Sequence, residues 1–545
     1  MKDIMNLKSS ILRINPSDNV AVALDKLNKG YEVQLDNTTF ELFDDIALKH
    51  KFACKDFKPK DEVYMYGVLV GEAIKHIPRG GLLTTENIKH KIQEVHGKTA
   101  SWEWTPPDKT KWHNQTFKGY HRADGQVGTD NIWLFFPLVF CENRNIETLK
   151  AIFEKEFNPP EKEPLQELLS QLVSGKNSEV LNKKNIPPKS SQFENIKVRF
   201  LNHQGGCGGT RQDAQSLARL LAGYVKNPNV AGATVLSLGC QHLEIDIFKD
   251  ALSSSQLKSE KPVLIYNQQT EGTVDAFLSK IIKNSFQEIK KANAIKRSPA
   301  PLSKLTIGLE CGGSDGFSGI TANPTLGQVS DIISGIGGKT ILAEFPELAG
   351  VEQELVNRCT TEVLGSKFLG LMKAYEKRAA EVDSGFYMNP SPGNIKDGLI
   401  TDAMKSAGAA KKSGNAPITD VLDYTEYTKE DGVSLLCTPG NDVESTTALA
   451  GSGANIILFT TGLGTPTGNP ITPVIKVSTN SILKDKMDDI IDFDCGTIIT
   501  EKRSLEEVGD DLLGLIIDVA SGEKKTKAVQ LKQHDFIPWK QGVSL

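Results

Sequence analysis

Three cysteines stand beside glycines where this chain turns from strand to helix. Cys207 sits in Gly206-Cys207-Gly208, Cys240 in Gly239-Cys240-Gln241-His242, and Cys311 in Cys311-Gly312-Gly313. Thiolates suit iron or zinc, so Cys207, Cys240 and Cys311 are candidate metal ligands. Their spacing is not a local C-x-x-C, and small cysteines also pack tight loops. Cys495 is a fourth candidate. His203 and His242 flank the first two loops, and imidazole serves both metal binding and proton transfer near neutral pH. Asp315 could bind a metal or polarise a hydroxyl. Around it, Gly312 and Gly313 let backbone amides approach a ligand, and a following helix N-terminus favours an anion. Ser314 and Ser318 offer hydrogen bonds to hydroxyls, and the loop at Thr461 repeats this logic. Glu344 and Glu347 follow another strand end, where one could be a base or cap a helix. Near the N-terminus, the histidine of His50-Lys51 could act as a base and the lysine could neutralise a carboxylate. Lys75-His76 reads as solvated surface.

A βα pattern occurs three times and must position these groups. Lys197–Leu201 and Ala233–Leu238 are predicted strands around a helix at Thr210–Val225. Leu305–Leu309 and Lys339–Leu342 flank a helix at Pro324–Gly335. Val433–Leu436 and Asn455–Thr460 flank one at Val443–Gly453. Such alternation implies parallel sheets covered by helices, with ligands at the strands' carboxyl ends. Residues 1–96 read as a small β-rich unit of short apolar stretches separated by turn signals. Within it, Ser17-Asp18-Asn19 could cap a helix through Leu27. Residues 97–118 read as a tryptophan-bearing linker that packs on a neighbour. The main body divides at about 290 into two α/β domains, 119–290 and 291–545. The segments 160–195 and Ala407–Asn415 read as surface excursions.

Composition narrows the function. The 545 residues are 39% hydrophobic and 24% charged, with a net charge of −5. That balance lacks the basic surplus of a duplex binder, so no nucleic-acid partner is expected. No apolar run approaches the ~20 residues of a membrane helix, so no membrane partner is expected. Eight cysteines in so long a chain suggest a reducing cytoplasm rather than a disulfide scaffold. Neither G-x-G-x-x-G with its acidic partner nor a Walker lysine is present, so nucleotide binding is unsupported.

Several strings together resemble the altronate/galactarate dehydratase family. They are Gly119-Tyr120-His121-Arg122-Ala123-Asp124-Gly125, LECGGSDGFSGITANP at 309–324, NPSPGN at 389–394, TPG at 438–440, FTTGLG at 459–464 and DFDCG at 492–496. The first 96 residues resemble the family's small β-clip, or SAF, domain. Asp130 stands where the family has Arg, and Thr84-Thr85-Glu86-Asn87 replaces a histidine-containing string. This leaves Asn87 and His50 as the small domain's candidates for contact with substrate.

The resemblance implies a hydro-lyase that removes water from a sugar acid, giving a 2-keto-3-deoxy product. Altronate is the first candidate, because Arg is scarce near the motif loops. Galactarate is the second, and a sulfolactate sulfo-lyase or a carbohydrate-binding protein would be a more distant reading. The resemblance also implies Fe2+ (or Mn2+), with an iron–sulfur cluster as a variant, and a homo-oligomer is expected. On this reading Cys207, Cys240 and Cys311 meet at one ion, in a pocket that admits His50 or Lys51.

Overall fold

The computed structural model describes residues 10–36, 38–157, 164–174, 193–254 and 260–544. Most of the 160–195 excursion lies outside these. The part at 164–174 carries the helix Pro164–Val173.

Val20–Ala23 reads Val-Ala-Val-Ala, buries all four side chains and forms a strand. It pairs antiparallel with Ile11–Leu12 and Lys51–Ala53. Val68–Ala73 is likewise flanked by Glu62–Met65 and Ile88–Lys89. The expected helix after Ser17 is absent. The Asp18 carboxylate instead accepts the backbone N–H groups of Asn15, Tyr66 and Gly67 at 2.9, 3.1 and 2.8 Å, so it braces a β turn. The segment after this small domain packs through its indoles. Trp102 donates to the Asn415 carbonyl at 2.8 Å, and buried Trp112 to Asp510 at 3.0 Å.

The middle domain has four parallel strands: β1 (Ile132–Pro137), β2 (Lys197–Phe200), β3 (Val230–Ser237) and β4 (Val263–Asn267), in the order β2-β1-β3-β4. Helix α1 (Arg211–Lys226) starts at Thr210, whose hydroxyl accepts the Asp213 amide.

The C-terminal domain holds a seven-stranded parallel sheet. Its strands are β5 (Thr306–Cys311), β6 (Lys339–Leu342), β7 (Ile418–Leu422), β8 (Gly432–Leu436), β9 (Ile456–Thr461), β10 (Val474–Ser478) and β11 (Phe493–Asp494). Their order is β7-β8-β6-β5-β9-β10-β11. The period of two separates the faces. Ile456 and Leu458 join the cluster that includes Leu326, Val329 and Ile333 of α2 (Ala322–Gly335). Ile457 and Phe459 join Ala448 and Leu449 of α4 (Asp442–Gly451). The chain leaves β5 toward β6 and later returns across it to β9. The topological switch therefore lies between β5 and β9, where open α/β sheets bind ligands.

Ala407–Asn415 is not a surface excursion. Helix α3 (Asp402–Ala410) is buried along most of its length, and Lys412 and Ser413 after it are buried too. Its small residues fit a tight interior, a pattern that also reads as a polar loop.

Asparagines join the two α/β domains. Asn455 donates to the carbonyls of Val127 and Lys304, both at 3.1 Å, and accepts the Thr306 amide at 2.9 Å. Arg122 donates to the Pro228 carbonyl at 2.7 Å and Asn131 at 3.0 Å, so its motif is structural. No helix among the described residues is long and apolar enough to cross a membrane. Asn455→Ala strands buried backbone groups on both domains. It is expected to cost about 1–3 kcal/mol, read as a lower urea midpoint. An unchanged midpoint would show that the joint does not depend on it.

Candidate active site

The strand ends beside the switch carry a cluster of buried ionisable groups. Strand β5 ends in Glu310-Cys311, and Glu344 follows β6. Glu344 adopts φ +68°, a left-handed conformation that is costly for a residue with a Cβ. Its carboxylate accepts the Cys311 amide and thiol, both at 3.3 Å. The Lys412 ammonium lies 2.8 Å from the Cys311 sulfur and 3.4 Å from Glu344. A second pair adjoins it. Lys405, on α3, donates to Glu347 at 2.7 Å and to Asn389 at 2.8 Å, and Asn389 donates to Glu347 at 2.9 Å. Glu310 accepts from Ser445 at 2.6 Å. Glu310 Oε1 and Glu347 Oε2 are buried without partners.

Burial shifts these groups. It raises Glu344 to about 7, against the pull of Lys412. Burial and Glu344 raise the Cys311 thiol, against the pull of Lys412. Burial opposes the charge of Lys412, but Cys311, Glu344 and Glu310 outweigh it and raise its pKa.

The small domain meets the next part of this loop. Lys49 pairs with buried Asp315 at 2.9 Å. Asp315 also accepts from Thr479 at 2.9 Å and Asn480 at 3.2 Å. Lys51 is fully buried and donates to the Gly398 carbonyl at 2.5 Å. A ring nitrogen of half-buried His50 lies 3.2 Å from the Lys396 carbonyl. The structure thus brings Lys51 near Asp315, and His50 near Asp397.

Other expected groups are committed elsewhere. His203 is buried, with Nδ1 accepting the Gly205 amide and Nε2 at 2.7 Å from the Pro137 carbonyl. Burial lowers it to about 4. A neutral ring engaged at both nitrogens is a poor base. His242 is exposed, 3.1 Å from the Gly209 carbonyl. It shares a cleft of about 580 Å³ with Cys207 and Trp539. Asn87 spends its amide on its own turn, with Thr84 and Leu82.

The glycine loop is likewise occupied. The amide of Gly312 donates to Thr460, that of Asp315 to Ser318 Oγ, and that of Gly316 to Asp397. Gly313 accepts two amides from the opposing loop, and the Ser314 carbonyl accepts from Asn394. Thr461 Oγ1 accepts the Gly464 amide. The Gly312 amide, the Ser318 hydroxyl and Thr461 Oγ1 are thus engaged within the wall of the site, as are the carbonyls of Gly313 and Ser314.

The three thiols do not form one site. Cys207 and Cys240 are exposed on the middle domain, and Cys240 accepts from Gln269 at 3.2 Å. Cys311 is buried on the other sheet against an ammonium. Among the described residues, no three His, Cys, Asp or Glu side chains gather to hold a metal ion. The trio of Cys207, Cys240 and Cys311 therefore does not fit the expected Fe2+, Mn2+ or iron–sulfur centre. Buried Cys495 stands outside the Glu344–Lys412 cluster.

Lys405, Lys412 and Lys49 were missed from the sequence. Lys49 directly precedes His50-Lys51. The other two lie in or beside the segment read as surface. NPSPGN and TPG, noted as strings, supply Asn389 and Thr438, and the Thr438 hydroxyl accepts the Glu344 amide at 2.8 Å.

Models of known families cover this architecture. The altronate/galactarate dehydratase SAF domain matches residues 9–91. The second domain of D-galactarate dehydratase/altronate hydrolase matches 119–293, and the C-terminal domain of D-galactarate/altronate dehydratase matches 302–544. An altronate dehydratase of Bacillus subtilis is 34% identical over 542 residues, covering 98% of this chain and all of that protein. The chain belongs to the altronate/galactarate dehydratase family. Another family member, an altronate dehydratase of Escherichia coli, is 33% identical, covering 98% of this chain and 99% of its own. A galactarate dehydratase (L-threo-forming) of Escherichia coli is 29% identical, covering 96% and 95%.

In this family member, Lys51 makes the domain contact pH-sensitive. Burial, partly offset by Asp315, lowers it from 10.5 to about 7. Between those values the unfolded chain binds a proton that the folded one does not. This contribution to stability therefore falls as pH drops from about 10.5 to about 7. Lys51→Met should gain less urea resistance than the parent between pH 7.5 and 9.5. An equal gain in both would show that Lys51 stays charged in the folded protein.

Proposed function

We propose that this chain is a hydro-lyase converting D-altronate to 2-keto-3-deoxy-D-gluconate and water. The observation that supports the reading is the Glu344–Lys412–Cys311 cluster at the switch point, in a chain matched along 98% of its length by an altronate dehydratase. Elimination needs a base for the proton on carbon 2. A carboxylate raised to about 7 exchanges protons near neutrality, which suits Glu344 to that step. Charge then builds on carbon 1 and carbon 2 as an enediolate. Lys412 is held as an ammonium and supplies fixed positive charge there. The small domain closes the site with Lys49 on Asp315.

The scarcity of Arg does not decide between a hexonate and a hexarate. Lys49, Lys51, Lys405 and Lys412 are cations, or potential cations, around the same loops. Galactarate is therefore the second substrate to test. A small-molecule sugar acid is the only partner this reading requires.

The test is a panel of hexonates and hexarates, assayed anaerobically with and without ferrous ion for 2-keto-3-deoxy products. Altronate is expected to be the best substrate, and inactivity on every sugar acid would overturn the reading. Glu344→Gln should lower kcat by about 10²–10⁴. In the parent, kcat/KM should fall as pH drops below about 7, because the base must be deprotonated. A Glu344→Gln variant with parental kcat would remove Glu344 from the role.

A further inference from the structure

Removing the proton on carbon 2 leaves one step without a residue, the departure of the hydroxyl on carbon 3. Hydroxide is a poor leaving group and needs a proton donor. The group must lie beside Glu344, carry a proton at working pH and be reachable from the strand-end loops.

The Lys405–Glu347–Asn389 triad meets these conditions. The Lys405 ammonium donates to Glu347 Oε1 at 2.7 Å and to Asn389 Oδ1 at 2.8 Å. These bonds use two of its three hydrogens. Glu347 Oε1 also accepts from Asn389, while Oε2 of the same carboxylate is buried without a partner. The triad therefore offers at least one donor and one acceptor that its members do not use. A hydroxyl can take both, accepting from the ammonium and donating to Oε2.

The Lys405 side chain is 10% exposed and that of Glu347 6%. The exposed Gly440, in the turn after β8, lies against the triad: a Cβ there would sit 3.8 Å from Glu347 Oε1, an ordinary van der Waals contact.

We infer that Lys405 is the proton donor to the departing hydroxyl on carbon 3, with Glu347 and Asn389 as its positioning residues. The inference rests on the dehydratase reading. Glu344 takes the proton from carbon 2 to give the enediolate, and that electron pair then forms the second bond between carbons 2 and 3. The bond from carbon 3 to oxygen breaks, and a Lys405 proton joins the leaving oxygen to make water. The enol then becomes the ketone. Its hydroxyl proton returns to the Lys405 amine, and the proton on Glu344 goes to carbon 3. No oxidant or reductant is needed. Transfer from an ammonium to departing hydroxide is downhill, since water has a pKa of about 15.7. Burial opposes the Lys405 charge, but Glu347 outweighs it and raises its pKa, so the donor stays loaded.

The experiment compares altronate with its 3-deoxy-3-fluoro analogue, using the full-length protein. Fluoride leaves without a proton. Lys405→Met should lower kcat for water loss by about 10²–10⁴, yet release fluoride at close to the parental rate. It should also still exchange the carbon-2 proton with deuterium. Lys405→Met leaves Glu347 buried without its cation, so Lys405→Met/Glu347→Gln is tested beside it. The same selective loss is expected there. Lys405→Arg, which keeps a charged donor, should recover part of the water loss. Equal loss on both substrates, or no loss on either, would overturn the inference. A parent protein that eliminates neither water nor fluoride would overturn the dehydratase reading, and the inference with it.

Discussion

A lysine ammonium stripped of water must be surrounded by negative or accepting groups. Lys412 is that ammonium, and much of the C-terminal domain is arranged around it. Cys311 and Glu344 come to it from adjacent strands. Glu344 adopts a left-handed conformation there, with the Thr438 hydroxyl accepting its amide. The segment carrying Lys412 is fixed from behind. Buried Arg358 donates to Ser413 Oγ at 3.1 Å and to the Ala416 carbonyl at 2.8 Å. Asp331 accepts the amides of Asn415 and Ala416 at 2.8 and 2.7 Å. The charge is held in place by interactions that do not themselves touch it.

The small domain continues the same logic at the other end of the glycine loop. Its backbone, as well as its lysines, enters the contact. A Cβ on Gly316 would lie 2.6 Å from the Lys49 carbonyl oxygen, and one on Gly398 would lie 2.5 Å from it. Glycine at both places lets the three segments touch. Lys49 then reaches Asp315, and Lys51 reaches the Gly398 carbonyl. The β-clip is thus a wall of the catalytic domain.

The elements were legible where periodicity was strong. All three strand–helix–strand units fall within a few residues of their expected places, because short apolar runs ended by glycine permit few other structures. The motif strings also marked the right edge of the sheet. What they concealed was the division of labour. Gly312 and Ser318 look like ligand contacts in a string, yet the Gly312 amide is spent on Thr460 of β9 and the Ser318 hydroxyl on Asp315. Lys412 looks like solvated charge in Ala-Ala-Lys-Lys-Ser-Gly, because nothing local reveals that Glu344 waits 68 residues earlier. Cys207 and Cys311 share a neighbourhood type but lie on different sheets. Local composition cannot tell these cases apart, since burial is decided by partners far along the chain.

Distance along the chain also has a consequence in time. The bond from Lys51 to the Gly398 carbonyl spans 347 residues. At ~5–20 residues per second of synthesis, the β-clip leaves the ribosome roughly 17–70 s before its docking partner exists. During that interval the Lys51 side chain has nowhere dry to go, and water keeps it protonated. Its burial therefore belongs to the last stage of assembly, when the nascent chain has already committed its middle domain. The order in which the ribosome delivers the parts delays completion of the active-site wall until most of the protein has been made.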